Sequence, residues 1–270
     1  MKKSILFWSI MSLLALCGCS PESVDMAGEY GTTLQIGVDS RTTIGDLVDG
    51  KRHIYWSAED AISTNGYSST PLSAEYDGAQ SASFNFNEVL QTPYKVVYPA
   101  SIYKDEATIS LPRIQCALAE KFDAPMYAYA ESTAFEVKHL CGALRLSIRG
   151  KEKLHELKFV SFTSSNGEAV YGDFTIDYKT GVLTPTTESK AYNETRATVG
   201  KPLSTESALD LFIVLPARTY NAGCKVRVVN KYGHYQDIFT TQPITINQGG
   251  VLAMPEFEFI PTGTTFDINI

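Results

Sequence analysis

Hydrophobic and polar residues alternate with a period of two along most of the chain. Leu34, Ile36 and Val38 are separated by Gln35 and Gly37, and Leu144, Leu146 and Ile148 by Arg145 and Ser147. Phe174, Ile176 and Tyr178 repeat the pattern, as do Val226 and Val228. This spacing places one side of an extended strand against a core. No segment sustains a helical stripe, and only a helical turn or two is expected near 117–122. Turn signals separate the strands: Asn65-Gly66, Asp77-Gly78, Asn166-Gly167 and Thr180-Gly181. Short strands punctuated in this way predict an all-β chain of sandwiches or barrels. The Thr/Ser-rich stretch 184–205 reads as a long surface loop.

The ends follow other rules. Lys2 and Lys3 precede an apolar run from Ile5 to Leu16, too short for a bilayer that needs about 20 apolar residues. Residues 1–18 therefore read as a secretion signal. The run closes in Leu16-Cys17-Gly18-Cys19, which resembles a bacterial lipobox with Cys19 as the lipidated first residue of the mature chain. Several acyl chains on one cysteine give durable anchoring, at about 0.8 kcal/mol for each buried methylene. Residues 19–29 lack periodicity and read as a tether. A boundary near 131 divides the rest into an N-terminal β-sandwich, 30–131, and a C-terminal one, 132–262. The tail, 263–270, again alternates, with Phe266, Ile268 and Ile270 on one face.

Charge and cysteine content narrow the function classes. Loss of the signal leaves 21 basic against 30 acidic side chains, a net charge of −9, which argues against a nucleic-acid partner. Cys116, Cys141 and Cys224 remain besides the lipidated cysteine, without a C-x-x-C spacing, and read as buried apolar side chains.

Catalytic signatures are missing: there is no H-E-x-x-H, G-x-S-x-G, Walker loop or dinucleotide fingerprint. His139 and Cys141 share a strand face, but no third metal ligand is in view. Glu59-Asp60 and Asp105-Glu106 read as solvated turns, since adjacent acids in a strand point to opposite faces. No enzyme, cofactor or metal is expected.

Several blocks together carry a family resemblance. Arg41-Thr42-Thr43-Ile44 is followed by His53-Ile54-Tyr55-Trp56-Ser57-Ala58-Glu59-Asp60-Ala61-Ile62. Then come Tyr98-Pro99-Ala100-Ser101, Pro125-Met126-Tyr127-Ala128, Phe135 through Leu146, and Leu211 through Tyr220. In this order they resemble the fimbrillin family, the Bacteroidales type V pilins and Mfa-like lipoproteins, with the signature W-x-x-G-D-x-I. Glu59 stands where that signature has Gly.

The resemblance implies two tandem transthyretin-like β-sandwich domains and a pilus subunit that supports adhesion. It implies export as a lipoprotein to the outer membrane, a cut by an Arg-specific protease, departure of the first strand, and its replacement by the terminal strand of another subunit. The residues fit that scheme. Arg41 is the candidate cleavage site, Leu34, Ile36 and Val38 the strand to be released, and Phe266, Ile268 and Ile270 the donor strand. Two rival readings use the same chain. One is a pilus anchor that keeps its lipid and first strand. The other is a monomeric surface lipoprotein that holds glycan on exposed aromatics, with Trp56, Tyr67 and Tyr103 forming one open platform.

Overall fold

The computed structural model describes residues 31–38, 47–48, 51–52, 55–118, 124–151 and 156–264. The first part of the chain forms β1 (Thr32–Val38), β2 (Leu47–Val48), β3 (Lys51–Arg52), β4 (Ser63–Thr64), β5 (Tyr67–Ser68), β6 (Ser81–Phe86) and β7 (Tyr94–Tyr98). Its middle forms β8 (Tyr103–Asp105), β9 (Thr108–Leu111), β10 (Ile114–Cys116), β11 (Met126–Ala130), β12 (Ala134–His139), β13 (Cys141–Gly150), β14 (Glu156–Ser164), β15 (Gly172–Asp177) and β16 (Val182–Pro185). The remainder forms β17 (Glu194–Pro202), β18 (Leu209–Pro216), β19 (Arg218–Tyr220), β20 (Cys224–Asn230), β21 (His234–Thr240), β22 (Ile244–Ile246), β23 (Val251–Ala253), β24 (Phe257–Phe259) and β25 (Gly263–Thr264). Two single 3-10 turns, Ala74–Tyr76 and Ala100–Ile102, are the only helical segments among the described residues. The chain is all-β.

A seven-stranded sheet of order β5-β4-β7-β11-β12-β1-β6 holds the N-terminal strands. It curls on itself: Thr70, just after edge strand β5, donates its N–H to Asn85 O of the opposite edge, β6, at 2.8 Å. Leu34, Ile36, Trp56, Phe84, Val96, Met126 and Val137 meet inside the curl.

The C-terminal strands form a sandwich. Its six-stranded sheet has the order β10-β17-β14-β20-β21-β25, and its four-stranded sheet joins β18, β13 and β23, with β24 also paired to β13. Val160, Phe162, Val226 and Val228 of the first pack against Leu144, Leu146, Ile148, Leu211 and Ile213 of the second. The alternation noted in the sequence is the packing face.

A third cluster joins the two parts. Val97 and Tyr127, on strands β7 and β11, pack with Ile109, Phe174 and Ile176 of a four-stranded sheet ordered β16-β15-β9-β8. Residues 103–118 precede the boundary expected near 131, yet β9 pairs antiparallel with β15 and β10 pairs parallel with β17.

Two local expectations are corrected. The stretch 184–205 is not one long loop, because Glu194–Pro202 forms β17 between β14 and β10. Thr195, Ala197 and Val199 are buried on alternate positions there, a pattern masked by the hydroxyl-rich composition. Ala117 extends the pairing of β10 with β17, donating to Thr198 O at 2.9 Å, and is not helical. The rest of the turn expected near 117–122 lies beyond Leu118, outside the described residues.

Candidate functional site: the first strand and its groove

β1 is an interior strand, antiparallel to β6 and parallel to β12. Leu34 stands opposite Phe84, Ile36 opposite Ala82, and Val38 beside Val137. Leu34 and Ile36 are wholly buried and Val38 is 8% exposed. Burying each such side chain stabilises by at most about 1.5–3 kcal/mol. The other face of β1 is polar. Thr33 Oγ1 donates to Asn85 Oδ1 at 2.8 Å, Gln35 Nε2 to Ser81 Oγ at 2.8 Å, and Ser83 Oγ to Gln35 Oε1 at 2.7 Å. At its start, Thr32 Oγ1 accepts the N–H of Leu90 at 2.8 Å.

Trp56 reaches β1 from the core side. Its indole Nε1 donates to Ile36 O at 3.1 Å, and its ring packs edge-on against Phe84 at 4.9 Å and Tyr98 at 5.3 Å. The turn that follows is tied by Asp60, whose Oδ2 accepts Ser57 N–H at 2.8 Å and whose Oδ1 accepts the Tyr98 hydroxyl at 2.9 Å. Glu59 adopts a φ of 70° in that turn, a conformation natural to glycine. The turn is thus formed at the position where the family signature has Gly.

The open platform that the glycan-binding reading requires of Trp56, Tyr67 and Tyr103 is not formed. Tyr67 is 48% exposed, but Trp56 has no exposed surface because it fills the space enclosed by β1, β6 and β7.

The last described strand is held at an edge. β25 pairs with β21, Thr264 opposite His234 and Gly263 opposite Tyr235. Thr262 N donates to Tyr235 O at 2.7 Å and Ile260 N to Gln236 Oε1 at 2.9 Å. A Cβ on Gly263 would lie 2.5 Å from Cζ of Tyr235, so that ring rests on the glycine. Arg227, bound to Asp237 through two hydrogen bonds of 2.6 and 2.7 Å, stacks on the same ring at 4.0 Å.

The other sequence-derived positions divide plainly. Cys19, Arg41, Phe266, Ile268 and Ile270 lie outside the described residues. Cys116, Cys141 and Cys224 are free thiols, and burial pushes Cys141 up to about 12 and Cys224 to about 11. Cys141 and Cys224 are therefore poor nucleophiles at neutral pH, while Cys116 is only half-buried, against the expectation that all three are buried. The pairing of β9 with β15 and of β10 with β17 escaped sequence reasoning, because strand spacing carries no signal for so distant a partner.

No family model and no curated protein matches the sequence. Solved structures do match. A candidate cell adhesion protein from Bacteroides ovatus aligns with a TM-score of 0.50 at 12% identity, covering 86% of this chain and 95% of that one. A fimbrial protein from Bacteroides ovatus gives 0.34 at 11% identity, covering 85% of this chain and 50% of that one. The tip fimbrial protein Mfa3 from Porphyromonas gingivalis, truncated at its C-terminus, gives 0.34 at 10% identity, covering 77% and 81%. At such identity the first likeness is one of fold. These structural neighbours are candidate cell adhesion and fimbrial proteins of the Bacteroidales, a likeness of fold consistent with a fimbrillin-like chain.

Proposed function

We propose that this chain is a structural subunit of an adhesive cell-surface pilus, built of two transthyretin-like sandwiches and acting without catalysis. It is exported through its signal segment and lipidated at Cys19 on the outer membrane. An Arg-specific protease cuts after Arg41, β1 leaves, and the alternating tail of another subunit, Phe266, Ile268 and Ile270, fills the vacated groove.

The observation that carries this reading is the place of β1. β1 lies between β6 and β12 with three side chains in the core. Its removal would open two strand edges and an apolar floor at once. A new strand would be bound by main-chain hydrogen bonds on both sides and by pockets for alternate side chains. An unfilled groove would invite aggregation, so release and replacement must be coupled. In this reading the present arrangement, with β1 in its groove, is the uncut form.

The test is limited digestion of the soluble mature chain with an Arg-specific protease, followed by intact mass and size-exclusion chromatography. Cleavage at Arg41 followed by a ladder of oligomers, lost on deletion of 264–270, is the expected result. A chain that is cut there and stays monomeric defeats strand exchange, and one that resists cutting favours an anchor subunit.

A further inference from the structure

An open cleft of about 320 Å3 lies between the seven-stranded sheet and the sheet of β8, β9, β15 and β16. Tyr103, half-buried, supplies aromatic surface while Tyr178 is only 7% exposed; Lys95 and Glu106 bring one charge of each sign, and Gln91 a carboxamide. One wall is braced. Asn65 Nδ2 donates to Gln91 O at 2.7 Å, and Asn65 Oδ1 accepts Lys95 N–H at 2.8 Å. Asn65 and Gly66 both have positive φ, 52° and 91°, and a Cβ on Gly66 would come within 3.0 Å of the Tyr103 hydroxyl oxygen. The turn is shaped to approach that phenol closely. The Lys95 ammonium stands 6.0 Å from the centre of the Tyr178 ring.

Burial raises the pKa of both phenols. Glu106 and Asp105 add to the effect at Tyr103, and Tyr103 and Asp105 at Tyr178. Both therefore remain O–H donors across the physiological range.

We propose that this cleft binds a neutral oligosaccharide. A pyranose ring has an apolar C–H face that packs on tyrosine, and hydroxyl groups that need donors and acceptors side by side. Tyr103 offers the first, while Lys95, Glu106 and Gln91 offer the second. Opposite charges in one cleft give no net attraction for a polyanion. A stiff wall with a few placed polar groups lowers the ordering cost of binding. The site does not use β1 or the tail, so it stands or falls apart from strand exchange.

The test uses the full soluble chain from Ser20 on an array of neutral oligosaccharides, with the strongest binder then titrated calorimetrically. The wild type is expected to bind at least one pyranose oligosaccharide. Tyr103→Ala and Glu106→Gln are each expected to weaken that binding tenfold or more. Glu106 is exposed, so its variant should melt at the wild-type temperature and separates lost recognition from lost folding. Three results overturn the proposal: no oligosaccharide binds, both variants bind as tightly as the wild type, or glycylglycine, a zwitterion suited to Lys95 and Glu106, binds where no sugar does.

Discussion

The two ends of the described chain are held in opposite ways. β1 has a hydrogen-bonded neighbour on each side and three side chains in the core, whereas β25 has two residues paired on one side of β21. An interior strand leaves only if a core is exposed, while a short edge strand lifts at little cost. The comparison teaches that alternation marks a strand without marking how firmly it is held. Leu34, Ile36 and Val38 and the tail's Phe266, Ile268 and Ile270 have the same spacing.

The strongest test of this contrast is Ile36→Ala, which removes atoms from a wholly buried site and should cost about 2–4 kcal/mol in urea unfolding. Thr264→Ala on β25 should stay within about 0.5 kcal/mol. Similar losses for the two would break the comparison.

Trp56→Phe sharpens it from the core side. It keeps most of the ring packing but removes the N–H that Ile36 O accepts, and should cost about 1–2 kcal/mol in the same assay. No loss would mean that the indole hydrogen bond contributes nothing to holding β1.

Glu59→Gly should act in the opposite direction. Its φ of 70° is strained for a side chain with a Cβ, and glycine removes a penalty of about 1 kcal/mol. A higher urea midpoint with an unchanged slope is expected.

The smallest global effect belongs to Gly263→Val. The new side chain collides with the Tyr235 ring, so hydrogen exchange at the Thr262 N–H should quicken at least tenfold. Total stability should fall by less than about 1 kcal/mol. A loss as large as that of Ile36→Ala would make the tail an integral part of the sandwich.

Much of the fold was legible in the residues. The alternation at 34–38, 144–148 and 174–178 located real strands and their buried faces, because side-chain direction in a strand depends only on local backbone geometry. The turn at Glu59 was also foreseeable, though its left-handed residue was not. Two things misled. Thr195 and Thr198, in a Thr/Ser-rich stretch, disguised β17, whose buried positions are Thr195, Ala197 and Val199. The aromatics at 55–103 gave no sign that Trp56 is enclosed while Tyr67 is open, since exposure is set by what packs above each ring.

What the sequence determined by itself is the local periodicity, the turns and the pattern of alternate apolar side chains that makes a strand able to enter a groove. Only the tertiary structure decided which strands became neighbours. It placed β1 between β6 and β12, paired β9 with β15, and brought Tyr103 and Tyr178 to one cleft. The reason is that any strand can offer its hydrogen bonds to any other, and the choice among them falls to the packing of the whole core.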